Sequence, residues 1–566
     1  MISVSGKNWE EIKVSKRIIE KLKIDLGFDE LLAKLIISRK FSQTEIDLIH
    51  NSIDVFNPFL GKKDFQNGVE ILNKSLENKD KILIIGDYDV DGCVSTSLLL
   101  KFFKLINKRS DFYIPDRFKD GYGASLNLVK KLSKKKPNLI IMVDCGSNSL
   151  EAIKYLKSKN IKSIIIDHHD INIPYPVADC LVNPKKEGDY QIYNYLCSSS
   201  LTYFFIDCFI KKKKLKVNFE YNLIFVFLAT ISDVMPMRDL NKIIGKKVLH
   251  KFNIKDNFLI NKIFSIKNIN KPLESEDLGF LIGPILNSAG RLSNANIVVK
   301  LLVSENETLK IDIINKLIQI NEQRKILENN LLKEIDLEKI SKDKNDVLVE
   351  YNTSINEGII GIIASRLKEE FNKPCIVLTK SNNFYKASAR STSFFNIGKY
   401  IKLAIDKNII LNGGGHNLAA GFTIQKNKIE KFKIFINKAF KKETSMITKK
   451  YVSKISLAAI NNQFYNNIKR ISPFGHNNLN PIFLINNLRI IPRVLKNNFL
   501  SFFIKGKSNK LISSVAFAFS ESDLFKTLLF NKKEISLIVQ IKENIWNNKK
   551  KLQLVVLDAV TDLNKA

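Results

Sequence analysis

Three short apolar runs, each ending in acidic or imidazole side chains, constrain the fold of this chain more than any other feature. The runs are KILIIGDYD, NLIIMVDCG and KSIIIDHHD, at residues 81–89, 138–146 and 162–170, and helix-like segments separate them. Buried runs of about four to six residues that alternate with helices are typical of parallel strands with crossover helices. The pattern therefore predicts an α/β fold. It also places the polar clusters at the carboxyl ends of strands, where open sheets of this kind bind ligands.

The pattern changes twice further along the chain. A charged segment with apolar residues at helical spacing predicts a long connecting helix, and a second α/β unit begins at VLVEY. After about residue 450, short apolar runs separated by Asn, Lys and Gly turns predict a small β-barrel. The predicted domains are an N-terminal helical segment (1–50), a first α/β domain (51–303), the connecting helix (304–345), a second α/β domain (346–447) and the barrel (448–566).

Positive charge dominates the chain, because 90 Lys and Arg residues oppose 57 Asp and Glu residues and give a net charge of +33. Such a surplus attracts polyanions and makes nucleic acid a candidate partner, although a lysine-rich surface that is merely solvated is the alternative. The sequence has neither a signal-peptide pattern nor an apolar run of about 18 residues, so a cytoplasmic protein that does not enter a membrane is expected. Six scattered cysteines without CxxC spacing predict reduced thiols and argue against a zinc ribbon.

The stretch GDYDVDG places Asp87, Asp89 and Asp91 at alternate positions after the first apolar run. Acids this close together repel one another unless a cation neutralises them. An EF-hand calcium loop also begins D-x-D-x-D-G, but its twelfth position requires Glu and here it is Leu98. A plain acidic turn and a metal site remain, and the metal site is favoured.

Later segments end in further polar residues. Asp144 follows the second run, where a single Asp is also typical of a helix cap. Asp167, His168 and His169 follow the third run, and Asp233 stands in LATISDVMP. Carboxylates and imidazoles without cysteine suit Mn²⁺ or Mg²⁺ better than structural zinc. Two such ions about 3.5 to 4 Å apart would bind both the attacking and the leaving oxygen of a phosphoryl transfer.

In their order and spacing, GDYDVDG, VDCG, DHHD and SDVMP resemble the motifs of the DHH phosphoesterase superfamily. Further motifs narrow the resemblance to the RecJ family of single-strand-specific DNA exonucleases, and it covers nearly the whole chain. These motifs are YIPDRFKDGYG, LGFLIGPILNSAGRLSNA, NEGIIGIIASRL, KASARS, GGGHNLAAGF and ISPFGHNNLNPIF.

The resemblance implies a DHH domain, a long helix, a DHHA1 domain and an OB-fold, with single-stranded DNA in a channel between the first two lobes. It also implies two Mn²⁺ or Mg²⁺ ions, with Asp144 as the bridge between them and Asp87 at the edge of the motif. The implied metal ligands are Asp87, Asp89, Asp91, Asp144, His168 and Asp233. The implied catalytic residues are Asp144, Asp167, which orients the histidines, and His169, which stabilises charge at the scissile phosphate.

A second implied set of residues holds the DNA strand. A guanidinium offers phosphate a planar fork, although a surface ion pair is the commoner role of any one arginine. Glycines permit close approach of the backbone to a nucleotide, and a helix-capping turn would need them too. The set comprises Arg117, Asn287, Arg291, Ser388, Arg390, Gly414, Gly415 and His416. In the barrel, Phe499, Phe502 and Trp546 are either base-stacking platforms or core residues, and core is favoured.

Three positions depart from the family pattern. Ile285 stands in place of the usual Arg after GP, Asn356 in place of a His, and His476 in place of the usual acid after PFG. None of them belongs to the implied metal-ligand set. They bear on contacts with DNA and on the C-terminal region.

The implied function is metal-dependent 5′-to-3′ hydrolysis of single-stranded DNA to 5′-mononucleotides in recombination and repair. Candidate partners are a single-strand binding protein and a RecQ-type helicase. Two alternatives stay open: an oligoribonuclease or cyclic-dinucleotide phosphodiesterase of the same superfamily, and a catalytically inactive DNA-binding scaffold. The N-terminal and barrel regions disfavour the first alternative, and the intact acids and histidines disfavour the second.

Overall fold

The structure is a computed structural model. It describes residues 1–335, 340, 345–351, 356–381, 383–392, 394–441, 448–495, 499–505, 511–517, 522–531, 533–546 and 549–561.

The α-helices in this part of the chain are α1 (Lys16–Leu26), α2 (Glu30–Ser38), α3 (Gln43–His50), α4 (Lys63–Glu77), α5 (Val90–Leu105), α6 (Leu126–Ser133), α7 (Leu150–Ser158), α8 (Ser198–Lys212), α9 (Leu223–Ser232), α10 (Asp239–Lys251), α11 (Phe258–Ile266), α12 (Ser275–Asp277), α13 (Gly283–Leu292), α14 (Asn296–Val303), α15 (Glu307–Glu334), α16 (Ile360–Phe371), α17 (Ile397–Asp406), α18 (Ile429–Phe440), α19 (Asn462–Lys469) and α20 (Asp523–Phe530).

The β-strands are β1 (Asn8–Glu11), β2 (Ile82–Ile85), β3 (Asp111–Tyr113), β4 (Leu139–Val143), β5 (Lys162–Ile166), β6 (Cys180–Val182), β7 (Leu348–Tyr351), β8 (Cys375–Ser381), β9 (Phe384–Arg390), β10 (Asn412–Gly415), β11 (Ala419–Ile424), β12 (Thr448–Tyr451), β13 (Ser453–Lys454), β14 (Ile482–Leu495), β15 (Phe499–Lys505), β16 (Leu511–Phe517), β17 (Ile535–Trp546) and β18 (Lys549–Val560).

The contacts between residues divide the chain into two units that alternate along the sequence. The barrel unit consists of Met1–Phe56, Val234–Asp277 and Met446–Ala566. The two-sheet unit consists of Asn57–Asp233 and Leu278–Ser445. The domain bounds expected from the sequence stay predictions.

The first sheet of the two-sheet unit has the strand order β3-β2-β4-β5-β6, and all neighbouring strands are parallel. Every residue of β2 and of β4 is buried, because helices cover both faces of a parallel sheet. The three apolar runs of the sequence are β2, β4 and β5. The predicted parallel sheet is confirmed.

The second sheet has the order β10-β11-β9-β8-β7, in which only the β7–β8 pair is parallel. The helix α15 precedes it and buries Ile313, Leu317 and Ile320 along one side. The predicted connecting segment extends beyond α15, and its residues 336–339 and 341–344 lie outside the described part of the chain.

In the barrel unit, β14 pairs with both β15 and β17, so the two ends of the sheet β14-β15-β16-β18-β17 meet. The core inside includes Phe483, Leu500 and Leu537, and the N-terminal helices add Phe28 and Leu32 to the same core. The predicted small barrel is confirmed, and with it the predicted α/β fold with a C-terminal barrel. Among the described residues, no helix combines the length and hydropathy that a membrane crossing requires.

Candidate metal centre and nucleotide-binding residues

The acidic motif forms the turn between β2 and α5. Asp89 is the N-cap of α5, where its Oδ1 accepts the backbone N–H of Gly92 at 3.1 Å. Gly92 is required because a Cβ there would lie 2.4 Å from the backbone N of Asp87. The turn buries Asp87 and Asp91 and leaves Asp89 partly exposed. Burial, followed by the charge of Asp89, raises the pKa of Asp87 to about 8.

Asp91 is held by the first turn of α8. Its Oδ2 accepts the backbone N–H of Ser198 and its Oδ1 that of Ser199, both at 2.8 Å. These two bonds fix the orientation of the buried carboxylate. The N-terminus of α8 also stabilises its negative charge.

Asp144 follows β4 with a φ of 60°, in the left-handed region that a residue other than glycine rarely adopts. Its side chain is fully buried, and neither carboxylate oxygen has a hydrogen-bond partner within the described structure. Burial, followed by the charges of Asp91 and Asp89, raises its pKa well above the usual range. A strained backbone, a buried carboxylate and two unpaired oxygens each cost free energy. A bound cation would neutralise the buried charge and give both oxygens a partner.

His168 brings an imidazole to the same point. Its Nε2 is close to carboxylate oxygens from three other segments, at 3.3 Å from Asp144, 3.4 Å from Asp233 and 3.7 Å from Asp91. Burial, followed by the charge of His169, lowers the pKa of His168 to about 3, so the ring is neutral and offers a lone pair. Ligands of an octahedral ion at about 2.1 Å lie roughly 3 Å apart, so a small rearrangement would let these atoms share one cation.

The potential ligand atoms form overlapping groups, each with atoms within 4.8 Å of one another. The first group contains only acids, which follow β2 and β4. The second combines two other acids with the neutral imidazole of His168, and the third combines Asp144 of the first group with both histidines. The groups are Asp87, Asp89 and Asp144; Asp91, His168 and Asp233; and Asp144, His168 and His169. Oxygen and nitrogen donors without thiolate fit Mn²⁺ or Mg²⁺.

Asp167 orients the imidazole ring of His169, whose Nδ1 lies 2.8 Å from Asp167 Oδ1. It reaches His168 only through the backbone N–H, at 2.7 Å. Burial is the largest influence on the pKa of His169 and lowers it, but the charge and hydrogen bond of Asp167 raise it to about 10 overall. The raised pKa favours the imidazolium form of His169, whose Nε2 lies 3.0 Å from the hydroxyl of Tyr122.

Two supporting residues were not singled out from the sequence. Asn183, just after β6, donates from Nδ2 to Ser147 Oγ at 2.7 Å and to the carbonyl of His169 at 2.9 Å. Its signal is the one used for the acids, a polar residue after an apolar run. Tyr122 stands between Gly121 and Gly123, which adopt φ values of 80° and 65°. The glycine pair marks a turn that presents this ring, which is 53% exposed.

The three expected strand-holding arginines lie close enough together for their charges to affect one another's pKa values. Burial, followed by the charges of Arg117 and Arg390, lowers the pKa of Arg291 to about 10. Burial and Arg117 likewise lower the pKa of Arg390, whose Nη1 donates to Ser388 Oγ at 3.0 Å. Arg117 lies over the ring of Tyr88 at 4.3 Å. Partly buried cations that repel one another suit an anion such as phosphate.

The remaining expected binding residues lie in two places. Asn287 Oδ1 accepts the backbone N–H of Val90 at 3.1 Å, so it supports the acidic turn. Gly414 and Gly415 lie on β10, an exposed strand at the edge of the second sheet. His416 follows them directly.

The three departures from the family pattern have local structural surroundings of their own. Ile285 is 1% exposed and packs in the core, so it makes no phosphate contact. Asn356 Oδ1 accepts the backbone N–H of Gly358 at 2.8 Å. The carbonyl of His476 accepts the backbone N–H of Met237 at 2.7 Å.

The barrel aromatics differ in their surroundings. Phe502 is 1% exposed and belongs to the barrel core, as favoured from the sequence. The ring of Phe499 stacks on that of Phe517, with centroids 5.7 Å apart and planes at 16°. The side chain of Trp546 lies outside the described residues.

Three protein-family models match the chain in order along its sequence. They are the DHH family N-terminal domain at residues 81–230, the DHHA1 domain at 344–442 and the RecJ OB domain at 453–558.

Several relatives that are named RecJ match most of this chain. The single-stranded-DNA-specific exonuclease RecJ of Bacillus subtilis is 26% identical over 98% of this chain and 71% of that protein. RecJ of Haemophilus influenzae is 29% identical over 75% of this chain and 77% of that protein. The solved RecJ of Thermus thermophilus in complex with Mn²⁺ has the same fold, with a TM-score of 0.83 at 19% identity over 98% of this chain and 79% of that one. The order of the domains, the motifs and the extent of these matches agree, and the chain belongs to the RecJ family of DHH and DHHA1 proteins.

Proposed function

We propose that this chain is a metal-dependent exonuclease that hydrolyses single-stranded DNA from the 5′ end to 5′-mononucleotides, in recombination and repair. The observation that carries the proposal is the approach of Asp144 and Asp233 to His168 Nε2, at 3.3 and 3.4 Å, in a chain with all three domains of the family. Its matched relatives are named single-stranded-DNA-specific exonucleases. The net charge of +33 suits a polyanionic substrate.

Two divalent cations, Mn²⁺ or Mg²⁺, are the proposed cofactor. RecJ of Thermus thermophilus has been solved with each of these metals. Bound here, the pair would activate water and neutralise charge on the scissile phosphate. The proposed ligands are Asp87, Asp89 and Asp144 for one ion and Asp91, His168 and Asp233 for the other, with Asp144 between them.

The other residues of the site bind and orient the strand. The imidazolium of His169, held by Asp167, is positioned to donate from Nε2 to a phosphate oxygen on which negative charge develops. We assign the phosphate at the strand end to Arg117, Arg291 and Arg390, whose mutual repulsion an anion would relieve. We assign the neighbouring strand contacts to the remaining expected binding residues, which are Asn287, Ser388, Gly414, Gly415 and His416.

A single-strand binding protein and a RecQ-type helicase are the proposed partners, because each supplies or covers the single strand on which the nuclease acts. The cytoplasm is the proposed location. All six cysteines are free and buried in the described structure, which suits a reducing compartment.

The test uses oligonucleotides labelled at either end, incubated with purified protein and Mn²⁺. A single-stranded substrate labelled at the 5′ end is expected to release labelled mononucleotide from the first turnovers, whereas the 3′ label stays on shortening strands. Degradation from the 3′ end, or equal degradation of blunt duplex, would contradict the proposal. A strong preference for substrates of two to four nucleotides would favour the superfamily's small-substrate enzymes instead.

A further inference from the structure

A contact between the two sheets of the two-sheet unit has no role in the function proposed so far. His416 Nδ1 lies 2.5 Å from Oδ2 of Asp170. Asp170 directly follows His169 at the end of β5, whereas His416 follows the glycines of β10. The contact therefore joins the loop that carries the histidines to the edge strand of the second sheet.

Asp170 is fixed from the side of the first sheet. Lys185 Nζ lies 2.9 Å from its Oδ1, and Asn148 Nδ2 donates to its backbone carbonyl at 2.6 Å. The first contact restricts the orientation of the carboxylate, and the second anchors the backbone that carries it.

His416 is fixed from the side of the second sheet. Its backbone N–H donates to the carbonyl of Ala419 at 2.7 Å, and its carbonyl accepts the N–H of Gly398 at 3.2 Å. A Cβ at Gly398 would lie 2.8 Å from that carbonyl, so the first turn of α17 packs directly against the loop. Two well-anchored loops thus meet at one charge-assisted hydrogen bond.

We propose that Asp170 is a positioning residue of the nuclease: by binding His416 it holds β10 beside the histidine loop, and the joined loops close one side of the path of the DNA strand. This inference rests on the proposed function. Both side chains are about half exposed, at 58% for Asp170 and 49% for His416, so solvent reaches the contact. An exposed ion pair often contributes little, and kinetic coupling distinguishes a functional pair from such a contact.

The first experiment measures kcat and KM on a long single-stranded oligonucleotide. Asp170→Ala is expected to raise KM about tenfold with kcat changed less than about twofold, because strand retention is lost while chemistry is kept. Asp170→Asn keeps an acceptor for Nδ1–H and is expected to restore most of the affinity. In the His416→Ala background, adding Asp170→Ala is expected to change nothing further. The control is Glu151→Ala, which removes an exposed carboxylate paired with Lys154 on α7.

Independent effects of Asp170→Ala and His416→Ala, or an Asp170→Ala variant that matches Glu151→Ala, would overturn the inference. A second readout needs no nuclease activity. Hydrogen exchange at the amides of His416 and Gly398 is expected to be faster in Asp170→Ala than in wild type, and unchanged exchange also overturns it. If the wild-type protein degrades no DNA, the proposed function fails, and the exchange measurement still decides whether Asp170 holds the loop.

Discussion

Asp144 Oδ1 lies 3.3 Å from His168 Nε2, so a carboxylate after β4 and an imidazole after β5 meet at one point. The two strands are parallel neighbours, with Val143 opposite Ile166 at their last paired positions. The ladder between the strands therefore sets the spacing of the side chains that follow them. The pairing of β4 with β5 thus positions these two of the proposed ligands.

Asp144→Ala is expected to lower the rate of single-strand degradation at least about a hundredfold, because even residues that only orient metal ligands have effects of about 10- to 100-fold. DNA binding is expected to be largely kept, since the arginines are untouched. Rates on labelled oligonucleotides and fluorescence anisotropy measure the two effects. Asp189→Ala, which removes a 67% exposed carboxylate, serves as the control and is expected to behave as wild type.

Chelation is expected to abolish activity and to lower the unfolding temperature, because unneutralised buried acids repel one another. Adding Mn²⁺ or Mg²⁺ should restore both. Calorimetric titration with Mn²⁺ should detect binding to wild type and much weaker binding to Asp144→Ala. Full activity in excess chelator would rule out the metal-dependent mechanism.

Arg390→Ala is expected to raise KM for 5′-phosphorylated single strands by about 10- to 100-fold, the range for loss of a hydrogen bond to a charged group. For strands with a 5′-hydroxyl the expected increase is much smaller, and this substrate is the internal control. Equal effects on both substrates would show that Arg390 does not contact the terminal phosphate.

A buried lysine in the barrel unit predicts a pH-dependent change in stability. Lys242 is 1% exposed, with Nζ 3.6 Å from the centre of the Phe41 ring and 3.7 Å from Glu45 Oε1. Burial lowers its pKa from 10.5 to about 7. Because the unfolded chain keeps the proton more readily, the penalty is full below about pH 7 and fades as the pH rises towards 10.5.

Lys242→Met is therefore expected to raise the unfolding temperature by roughly 1 to 3 °C at pH 6, with a smaller gain at pH 10. Glu45 keeps its partner Arg238, whose Nε lies 2.8 Å from Oε1. Thermal unfolding at both pH values measures the change, with the 72% exposed Lys154→Met as a control that should show no such difference. Destabilisation at pH 6 would mean that the charged lysine is needed in the fold.

The sequence predicted the sheet and the acids at its edge because both leave local patterns. A strand covered on both faces must be apolar throughout, as β4 is, and the polar residue after it is visible at once. The hydrogen bonds from Ser198 and Ser199 to Asp91 leave no such pattern, because their donors are backbone N–H groups, which every residue except proline has. The pairing of Asp170 with His416 also escapes sequence analysis, since it depends on how two sheets pack.

The division of the chain into units was equally hidden. Nothing in the local pattern of Val234–Asp277 indicates that this segment groups with the first and last parts of the chain. Periodicity reports which face of a helix is buried, but it does not report the partner that covers it.

The three-part barrel unit has a consequence for synthesis. Phe28 and Leu32 belong to a core completed by Ile471 and Phe483, which the ribosome adds much later. During synthesis, the apolar sides of the N-terminal helices therefore stay exposed until the last strands have been made. A product released before the last strands would keep that apolar surface exposed, so truncated chains are expected to aggregate.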